Sequence, residues 1–561
     1  MASNPNAKIP SPSAPTWQNW SGNLVHKPAS DGGKYYFAPT NLTELKSVLA
    51  QVSKVRGAII RVSAQRHSQA PLVAEDNRAA VPQTTKTYLV DMSCYADLGL
   101  GTDRIALVAG KNQVTVNTGV REDELDAFLI KHNLMLKTVT AGGFFSLGGM
   151  TAVDVHGATQ DAPIFAETVS AFNILLADGT VTTIDGKSSP VDGWSPLQFA
   201  RVSLGGLGVV TSITIDVLER PWKTTLQGRT ERLGLAGKSA FVEKFKTLLG
   251  KHTRVETFFT PYATAWVGLG AKNFLTLFWD VVTDPSSKIP NTPPDPPPDN
   301  ACVLAGKQPP QYGAPYLTGI AKFGAELALQ SQYFYSSILS PPPLIFGGAA
   351  EIAAITFEVI EPEVAAPNKL HSDLWLTGAV RVIFMSYYIP LPGLDDKGLG
   401  KAWEGLDVVS EIVTRDGSFH IAAPVEFRFV KGGNSAMSGA FTKDPEHTWF
   451  VNLDLIGFVE ADQMASAYPA KLLQFFAEVE QKWVEMGGFP HNGKMYGFYD
   501  PTDKDPNSYS KTGPFNPNFL AKLRKLRGDR GAPLEAFSAY RKRLDPNGLF
   551  YNEFLRNLLE L

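Results

Sequence analysis

The chain has 561 residues, 44% of them hydrophobic and 19% charged, which is the balance of an ordinary globular protein with room for two or three domains. Its 52 basic and 55 acidic residues leave a formal net charge of −3, so no overall field attracts nucleic acid or an anionic membrane. The two cysteines, Cys94 and Cys302, lack the spacing of a metal or thiol-redox motif and could form one disulfide or none. No apolar run is long enough to span a bilayer, which excludes an integral membrane protein built on helices.

The first part of the chain alternates short helix and strand patterns. Asn41-Leu-Thr-Glu44 has the form of a capped helix start, and apolar residues follow it at helical spacing, at 45, 48, 49 and 52. A second amphipathic helix is predicted over Arg121–His132. The apolar runs around these helices predict strands at Ala58–Val62, Tyr88–Met92, Ile105–Ala109, Gln113–Thr118, Ala171–Ala177 and Val181–Ile184.

The composition shifts at Arg220–Trp222, which predicts a domain boundary. Residues 284–299 are polar and proline-rich, as in an exposed loop. The apolar-faced run Tyr316–Leu339 predicts a helix that ends before three consecutive prolines. Further on, Val425–Phe429 alternates apolar and charged residues as a strand does, and Asn518–Arg541 predicts one basic helix.

A polar turn that contains a histidine, Ala64-Gln-Arg-His-Ser68, follows the first predicted strand. Two later segments, 140–150 and 201–210, carry pairs of adjacent glycines. Backbone N–H groups in such turns can bind phosphate, so the three segments together predict an anionic, phosphate-bearing cofactor. The G-x-G-x-x-G and Walker patterns are absent, which argues against a Rossmann dinucleotide domain and against an NTPase.

Six short motifs, in this order along the chain, resemble those of the vanillyl-alcohol-oxidase type of FAD flavoprotein. They are Arg61-Val-Ser-Ala-Gln-Arg-His-Ser68, Ser146-Leu-Gly-Gly149 leading to His156-Gly157, Leu176-Ala-Asp-Gly-Thr180, Ser203-Leu-Gly-Gly-Leu-Gly-Val-Val210, Pro490-His-Asn-Gly-Lys494 and Asp545-Pro-Asn-Gly-Leu-Phe550. The resemblance implies an α+β, two-domain fold in which both chain ends form the FAD domain and the middle forms an α+β substrate cap. We therefore expect an N-terminal FAD part over 1–222, a cap over 223–487 and a C-terminal return over 488–561.

The same resemblance implies that FAD is bound covalently through His67, because many members bond a histidine in the first loop to the flavin 8α-methyl carbon. His156 is the competing attachment site, and a lone histidine in a turn is more often simply solvated. The later loop has no cysteine, so a single bond is expected. The implied cofactor-binding residues are Ala64, Gln65, Arg66, His67, Ser68, Ser146, Gly148, Gly149, His156, Gly157, Gly208, Val209 and Asn552, and no metal site is predicted.

Glu426 and Arg428 lie two residues apart in a strand-like run and therefore share one face of the strand. Taken alone, such a pair is more often an exposed ion pair. The resemblance instead implies that Glu426 accepts the substrate hydroxyl proton and that Arg428 stabilises negative charge and gates oxygen. Lys494 is expected near the flavin pyrimidine or the substrate oxygen. Glu256 is the predicted second cavity glutamate, and Asn452 is a weaker candidate.

The substrate is the least constrained part of the prediction. The cap is long and rich in apolar residues, and Asn492 stands where aldonolactone and alditol oxidases usually have tryptophan; both features favour a sterol. Within the family the chain most resembles covalent-flavin cholesterol oxidases, which implies oxidation of a 3β-hydroxysteroid by O2, with isomerisation of the Δ5 double bond by Glu426 or Glu256. An alditol or aldonolactone oxidase and a dehydrogenase with another acceptor are the alternatives. We further expect a monomer that contacts lipid surfaces and no nucleic acid. Its first residues lack a signal pattern, so it is cytoplasmic or, as we expect, secreted with its leader absent from this chain.

Overall fold

The protein is described from a computed structural model. It describes residues 16–101, 103–220, 224–263, 272–283, 300, 302, 326, 328–332, 349–364, 381–415, 419–460, 463–505 and 508–560. The predicted proline-rich loop at 284–299, most of the predicted helix Tyr316–Leu339 and the last two residues of the predicted boundary, 221 and 222, lie outside these ranges. Among the described helices, none is both long enough and apolar enough to cross a membrane.

Helices and strands alternate in the N-terminal part and again in the middle of the chain. The described α-helices are α1 (Leu42–Val52), α2 (Glu122–Lys131), α3 (Leu147–Ala152), α4 (Pro196–Ala200), α5 (Lys238–Lys251), α6 (Ala349–Val364), α7 (Asp396–Val413), α8 (Ala470–Glu485), α9 (Pro517–Arg530), α10 (Leu534–Leu544) and α11 (Glu553–Leu559), with 3-10 turns at Phe165–Thr168 and Ala465–Ala467. The described strands are β1 (Trp17–Gln18), β2 (Val25–His26), β3 (Tyr36–Phe37), β4 (Ile59–Ser63), β5 (Thr87–Asp91), β6 (Ile105–Leu107), β7 (Gln113–Asn117), β8 (Leu134–Met135), β9 (Val169–Leu175), β10 (Val181–Asp185), β11 (Val209–Asp216), β12 (Leu218–Glu219), β13 (Thr224–Leu235), β14 (Val255–Ala263), β15 (Lys272–Thr283), β16 (Arg381–Leu391), β17 (Val425–Lys431), β18 (Trp449–Val459) and β19 (Phe489–Pro490).

Three larger sheets organise these strands. A parallel sheet has the order β3-β5-β4, and an antiparallel sheet has the order β10-β9-β11-β7-β6. The third sheet is antiparallel with the order β13-β15-β14-β17-β18-β16-β19, so strands that are far apart in sequence become neighbours. The predicted mixed α and β fold is confirmed, and the seven-stranded sheet is built from the middle of the chain. The domain limits at 222 and 487 remain a prediction.

The helices and strands that the sequence predicts in the N-terminal part agree with the structure to within two residues, whereas α3, α4 and β11 were not predicted. In α1, Asn41 accepts a hydrogen bond from the Glu44 backbone N–H at 3.0 Å, which is the expected cap, and the predicted apolar stripe at 45, 48, 49 and 52 is buried. The six predicted strands appear as β4, β5, β6, β7, β9 and β10.

The predicted basic helix Asn518–Arg541 is wrong in one respect: it is two helices, α9 and α10. The break lies at Gly531, which adopts the left-handed φ of +83° and closes α9, and Pro533 directly precedes α10. Glycine after a helix end and proline before the next start are the residues that such a break requires.

The C-terminal segment returns to the first sheet. The Ile60 N–H of β4 donates to the Leu549 carbonyl at 2.7 Å, and the Asn552 side chain donates to the Pro71 carbonyl at 2.9 Å. Cys94, which follows β5, forms a disulfide with Cys302 across 208 residues of sequence. The sequence left open whether the two cysteines form a disulfide, and the structure shows that they do. The disulfide ties residue 302 to the first sheet.

Candidate active site

A cleft runs between the N-terminal sheets and the seven-stranded sheet, with an empty volume of about 1620 Å³ including its open mouth. Of the predicted site residues, those that line it are Ala64, Gln65, Arg66, His67, Ser68, Ser146, Gly148, Gly149, His156, Gly208, Glu426, Arg428 and Lys494.

The turn after β4 provides the clearest anion site. Within the described parts of the chain, none of the backbone N–H groups from Ala64 to Ser68 donates to a protein acceptor, and all of these residues line the cleft. Arg66 takes the left-handed φ of 62°, and its carbonyl accepts from the Trp20 N–H at 2.8 Å, which turns the other side of the loop toward the cleft. A run of N–H groups without partners at a concave surface suits a pyrophosphate.

His67 lies in the cleft wall among aromatic rings. Its ring centroid is 4.9 Å from that of Phe144, 4.8 Å from that of Phe145 and 5.5 Å from that of Trp20. Burial, with Lys494 and Arg121 acting in the same direction, lowers the pKa of His67 to about 3. The imidazole is therefore neutral at ordinary pH and has a nitrogen lone pair available.

The two glycine-rich segments contribute differently from the prediction. The N–H groups of Leu147 and Gly148 at the start of α3 already donate to the Val120 and Thr118 carbonyls, both at 2.9 Å, so they offer no cradle. Gly148 contributes by lacking a side chain, because an added Cβ would lie 2.7 Å from the Thr118 Cβ. In the 201–210 segment, Val202 and Leu204 both have a φ of 55°. This left-handed conformation is costly for a bulky residue such as leucine and for a β-branched one such as valine.

Three of the predicted cofactor residues do not line the cleft. Gly157 packs against the chain, since an added Cβ would lie 2.1 Å from the Val139 carbonyl oxygen. Val209 is buried in the core of the first sheet, and Asn552 caps α11 by accepting from the Leu555 N–H at 3.0 Å. In the described structure these three residues pack beside the loops of the cleft and do not line it.

The seven-stranded sheet turns a charged face to the cleft. Glu426 and Arg428 share one face of β17 as predicted, and they form a salt bridge with side chains only 3% and 5% exposed. The alternative of an exposed ion pair is therefore excluded. Glu256 lies opposite Arg428 on β14 and accepts from its guanidinium at 2.9 Å. Glu256 itself lines a second, smaller cavity behind Arg428.

Sequence reasoning missed three residues of this face. The first is Asp454 on β18, which lies directly opposite Glu426 and lines the cleft. Asn452, which was predicted as a weaker candidate, lies opposite Arg428 and donates to the Ser386 hydroxyl at 2.9 Å. His491 and Phe384 also line the cleft. The alternation of β18 would have placed Asp454 on the same face as Asn452, two residues earlier.

Two histidines in this part of the cleft are neutral. Burial lowers the pKa of His156 to about 3, and Arg428 acts in the same direction. The pKa of His491 is lowered well below its usual value, first by burial and then by Lys494 and His156. His491 Nδ1 accepts from the Gly493 N–H at 3.0 Å, so the proton of its neutral ring is on Nε2.

Lys494 is held by the turn that follows β19. Its Nζ lies 3.9 Å from the centroid of the Phe384 ring, and its N–H donates to the His491 carbonyl at 3.1 Å. Asn492 in this turn is buried and hydrogen bonded to Asp154 and to Arg527, and it does not line the cleft. Asn492 therefore gives no evidence against a sugar-type site, because its side chain is hydrogen bonded outside the cleft.

Glu480 of α8 anchors the same loop and gives a testable pH dependence. It accepts from the Gly497 N–H at 2.6 Å, the Phe498 N–H at 2.7 Å and the Tyr387 hydroxyl at 2.6 Å. Burial raises the pKa of Glu480 from 4.5 to about 7. The native state then holds a proton that the unfolded chain has lost, so stability falls as pH rises from about 4.5 to about 7, by roughly 3 kcal/mol.

Glu480→Gln should therefore remove this fall, although glutamine replaces an acceptor by a donor and lowers stability overall. We expect the thermal midpoint of the parent protein to approach that of the variant between pH 5 and pH 8. The measurement is the thermal midpoint of both proteins at half-unit steps of pH. Parallel profiles would contradict the assignment.

Two family models match the chain. Residues 34–185 match the model described as FAD binding domain, and residues 399–558 match the one described as D-arabinono-1,4-lactone oxidase. Mouse L-gulonolactone oxidase is 26% identical over 270 residues, which is 47% of this chain and only 54% of that protein, so the match spans about half of this relative. L-gulono-1,4-lactone dehydrogenase of Mycobacterium tuberculosis (strain ATCC 25618 / H37Rv) is 24% identical over 97% of this chain and 99% of that protein.

Cholesterol oxidases are among the solved structures that resemble the chain along its whole length. A solvent-stable cholesterol oxidase has a TM-score of 0.68 at 17% identity and covers 99% of this chain and 100% of its own. Cholesterol oxidase from B. sterolicum has a TM-score of 0.65 at 16% identity, with the same coverage. At these identities the likeness shows the fold alone. The fold is that of the vanillyl-alcohol-oxidase type, and residues 34–185 match an FAD binding domain.

The residues present fit FAD. Among the described residues, the turn from Ala64 to Ser68 offers backbone N–H groups that donate to no protein acceptor, and the whole turn lines the cleft. Gly205 and Gly208 complete the wall opposite this turn. When bound, FAD supplies the hydride acceptor for oxidation of an alcohol.

Proposed function

We propose that the protein oxidises a secondary hydroxyl of a small polyhydroxylated substrate of the aldonolactone kind, passing the electrons to O2 and forming a ketone and H2O2. The observation that carries the proposal is the charged substrate face: Glu426, Arg428, Asp454 and Lys494 all line the cleft. A polyhydroxylated substrate offers several hydroxyls that can hydrogen bond with such groups, whereas an apolar substrate offers at most one. The printed names of the relatives by sequence, L-gulonolactone oxidase among them, support the same substrate class.

In this proposal Glu426 is the general base, which accepts the hydroxyl proton while the carbinol hydride leaves toward the flavin. Arg428, held by carboxylates on both sides, stabilises the negative charge that develops on the substrate oxygen. Lys494 adds a second cation in the same cleft, above the ring of Phe384. His156 and His491 are neutral, so Arg428 and Lys494 supply the positive charge in this part of the cleft.

Oxidation of a 3β-hydroxysteroid is the second candidate. One observation favours it: Glu256 lies 2.9 Å from Arg428, which places a second glutamate beside the Glu426–Arg428 pair, as the resemblance to cholesterol oxidases implies. Of the two glutamates, Glu426 lines the cleft and could then move the proton that isomerises the Δ5 double bond. The candidate stands second because the described face of the cleft has more charged groups than a single sterol hydroxyl can pair.

One assay separates the candidates. L-gulono-1,4-lactone, an alditol and cholesterol in detergent are supplied in turn to the purified holoenzyme, and flavin bleaching without oxygen and peroxide formation under air are recorded. We expect the lactone to bleach the flavin and to yield peroxide. Bleaching by cholesterol alone would overturn the proposal in favour of the sterol. Bleaching by the lactone without peroxide would instead indicate a dehydrogenase with another electron acceptor.

We further propose that the flavin is attached through His67, whose neutral ring in the cleft wall has an available nitrogen. Acid precipitation of the native protein should carry the yellow colour into the pellet. His67→Ala should release the colour into the supernatant, and His156→Ala is the matched control that should retain it. Colour in the supernatant of the native protein would contradict covalent attachment.

We also propose that the protein is a secreted monomer. The Cys94–Cys302 disulfide supports the first part, because disulfides persist in oxidising compartments. Fractionation of the source cells and the mass of the purified protein in solution would test the two parts separately.

A further inference from the structure

Asp454 lies in the substrate half of the cleft but has no part in the proposed oxidation. It sits on β18 between two residues that the sheet places directly opposite it, Glu426 on β17 and Ser386 on β16. Residues directly opposite each other in an antiparallel sheet project from the same face. Asp454 therefore projects from the same face as the proposed base, and it lines the same cleft.

Asp454 is buried among other ionisable groups. The residue is only 7% exposed, and a second ionised carboxyl directly opposite Glu426 would be repelled. Burial raises the pKa of Asp454, although Lys494, Ser386 and Arg428 act in the opposite direction. The charged and titratable groups that face it from the packed elements are Glu256, Glu426, Arg428, Lys494 and Tyr388.

One polar atom at this position has no protein partner. Among the described residues, Asp454 Oδ1 has no hydrogen-bond partner although it is buried. A buried oxygen of this kind costs free energy unless a ligand or an ordered water pairs it. Since Glu426 in the same row takes the reacting hydroxyl, the group that reaches Asp454 must be a neighbour of that hydroxyl on the substrate.

We propose that Asp454 is a specificity-determining residue that hydrogen bonds a second substrate hydroxyl, next to the one that is oxidised, and so selects vicinal diols such as those of aldonolactones. The inference rests on the proposed function. The unpaired carboxyl oxygen Oδ1 can accept a hydrogen bond from such a hydroxyl. A substrate with a single hydroxyl leaves this pair unmade, and the resulting discrimination is roughly 10- to 100-fold in kcat/KM.

The test compares L-gulono-1,4-lactone with an analogue that lacks one neighbouring hydroxyl. In the native holoenzyme we expect the lactone to be preferred by roughly 10- to 100-fold in kcat/KM. Asp454→Leu should abolish the preference, and Asp454→Asn, which still donates and accepts, should keep it. As a readout that does not need turnover, the thermal shift without oxygen should be larger with the lactone than with the analogue in the native protein and equal in Asp454→Leu.

The outcomes separate the two proposals. If the native enzyme oxidises the lactone and Asp454→Leu keeps both the preference and the difference in thermal shift, the role of Asp454 is overturned while the proposed function stands. If no lactone bleaches the flavin of the native enzyme, the proposed function itself fails. Asp454→Ala gives the same comparison if the leucine variant does not fold, and flavin content reports folding in each case.

Discussion

Glu426→Gln is expected to slow flavin reduction by roughly 10²- to 10⁴-fold, which is the usual contribution of a positioned general base. Glutamine has the shape of glutamate, and its carbonyl can still accept from Arg428, the partner of Glu426 in the salt bridge. What it lacks is a site for the hydroxyl proton. The measurement is the rate of flavin bleaching by the lactone without oxygen, in a rapid-mixing experiment, on variant protein with normal flavin content.

Glu256→Gln is the matched control for this prediction. Glu256 also pairs with Arg428, but it lines the smaller cavity and not the cleft. It therefore acts on the reaction only through Arg428, and we expect a loss of less than about tenfold. If Glu426→Gln reduces the flavin at a near-normal rate, the base is another group. If the two variants lose equal activity, the common cause is the position of Arg428 and not proton transfer.

The sequence predicts those features of the site that depend on neighbours along the chain. The alternation in β17 places Glu426 and Arg428 on one face, and the cap of α1 follows from Asn41. The break between α9 and α10 could also be predicted from the local sequence, because Gly531 and Pro533 are signals that end one helix and begin the next. The uniformly basic composition of the run instead suggested a single helix.

Features that depend on strand register lie beyond such patterns. Asp454 and Glu426 are 28 positions apart, and only the pairing of β17 with β18 makes them neighbours. Register is decided by packing over the whole sheet, and a shift by one residue would turn Asp454 to the opposite face. The sequence does not predict the direction of the Asn492 side chain, for a related reason. Asn492 lies in a turn, where the alternation of the preceding strand no longer holds.

Arg61→Met is expected to lower the free energy of unfolding by about 3–5 kcal/mol, because it leaves several buried carbonyl groups without a donor. The Arg61 guanidinium donates to the carbonyls of Leu72 at 2.6 Å, Leu204 at 2.6 Å and Gly205 at 2.9 Å, and also to that of Phe550. One side chain of β4 thus joins the segment that follows the Ala64–Ser68 turn, the 201–210 loop and the C-terminal segment. Burial lowers the pKa of Arg61 to about 10, so the group remains charged at neutral pH.

The measurement is urea unfolding together with limited proteolysis. Because Arg61 and the Ile60 N–H both bind the segment at Leu549 and Phe550, the variant should be cut there by protease well before the native protein. Arg61→Lys, which keeps the charge but has a single donor group, should fall between the two. A methionine variant as stable as the parent would show that the two ends of the chain are joined by backbone pairing alone, since the β4 hydrogen bond to Leu549 would then suffice without the guanidinium.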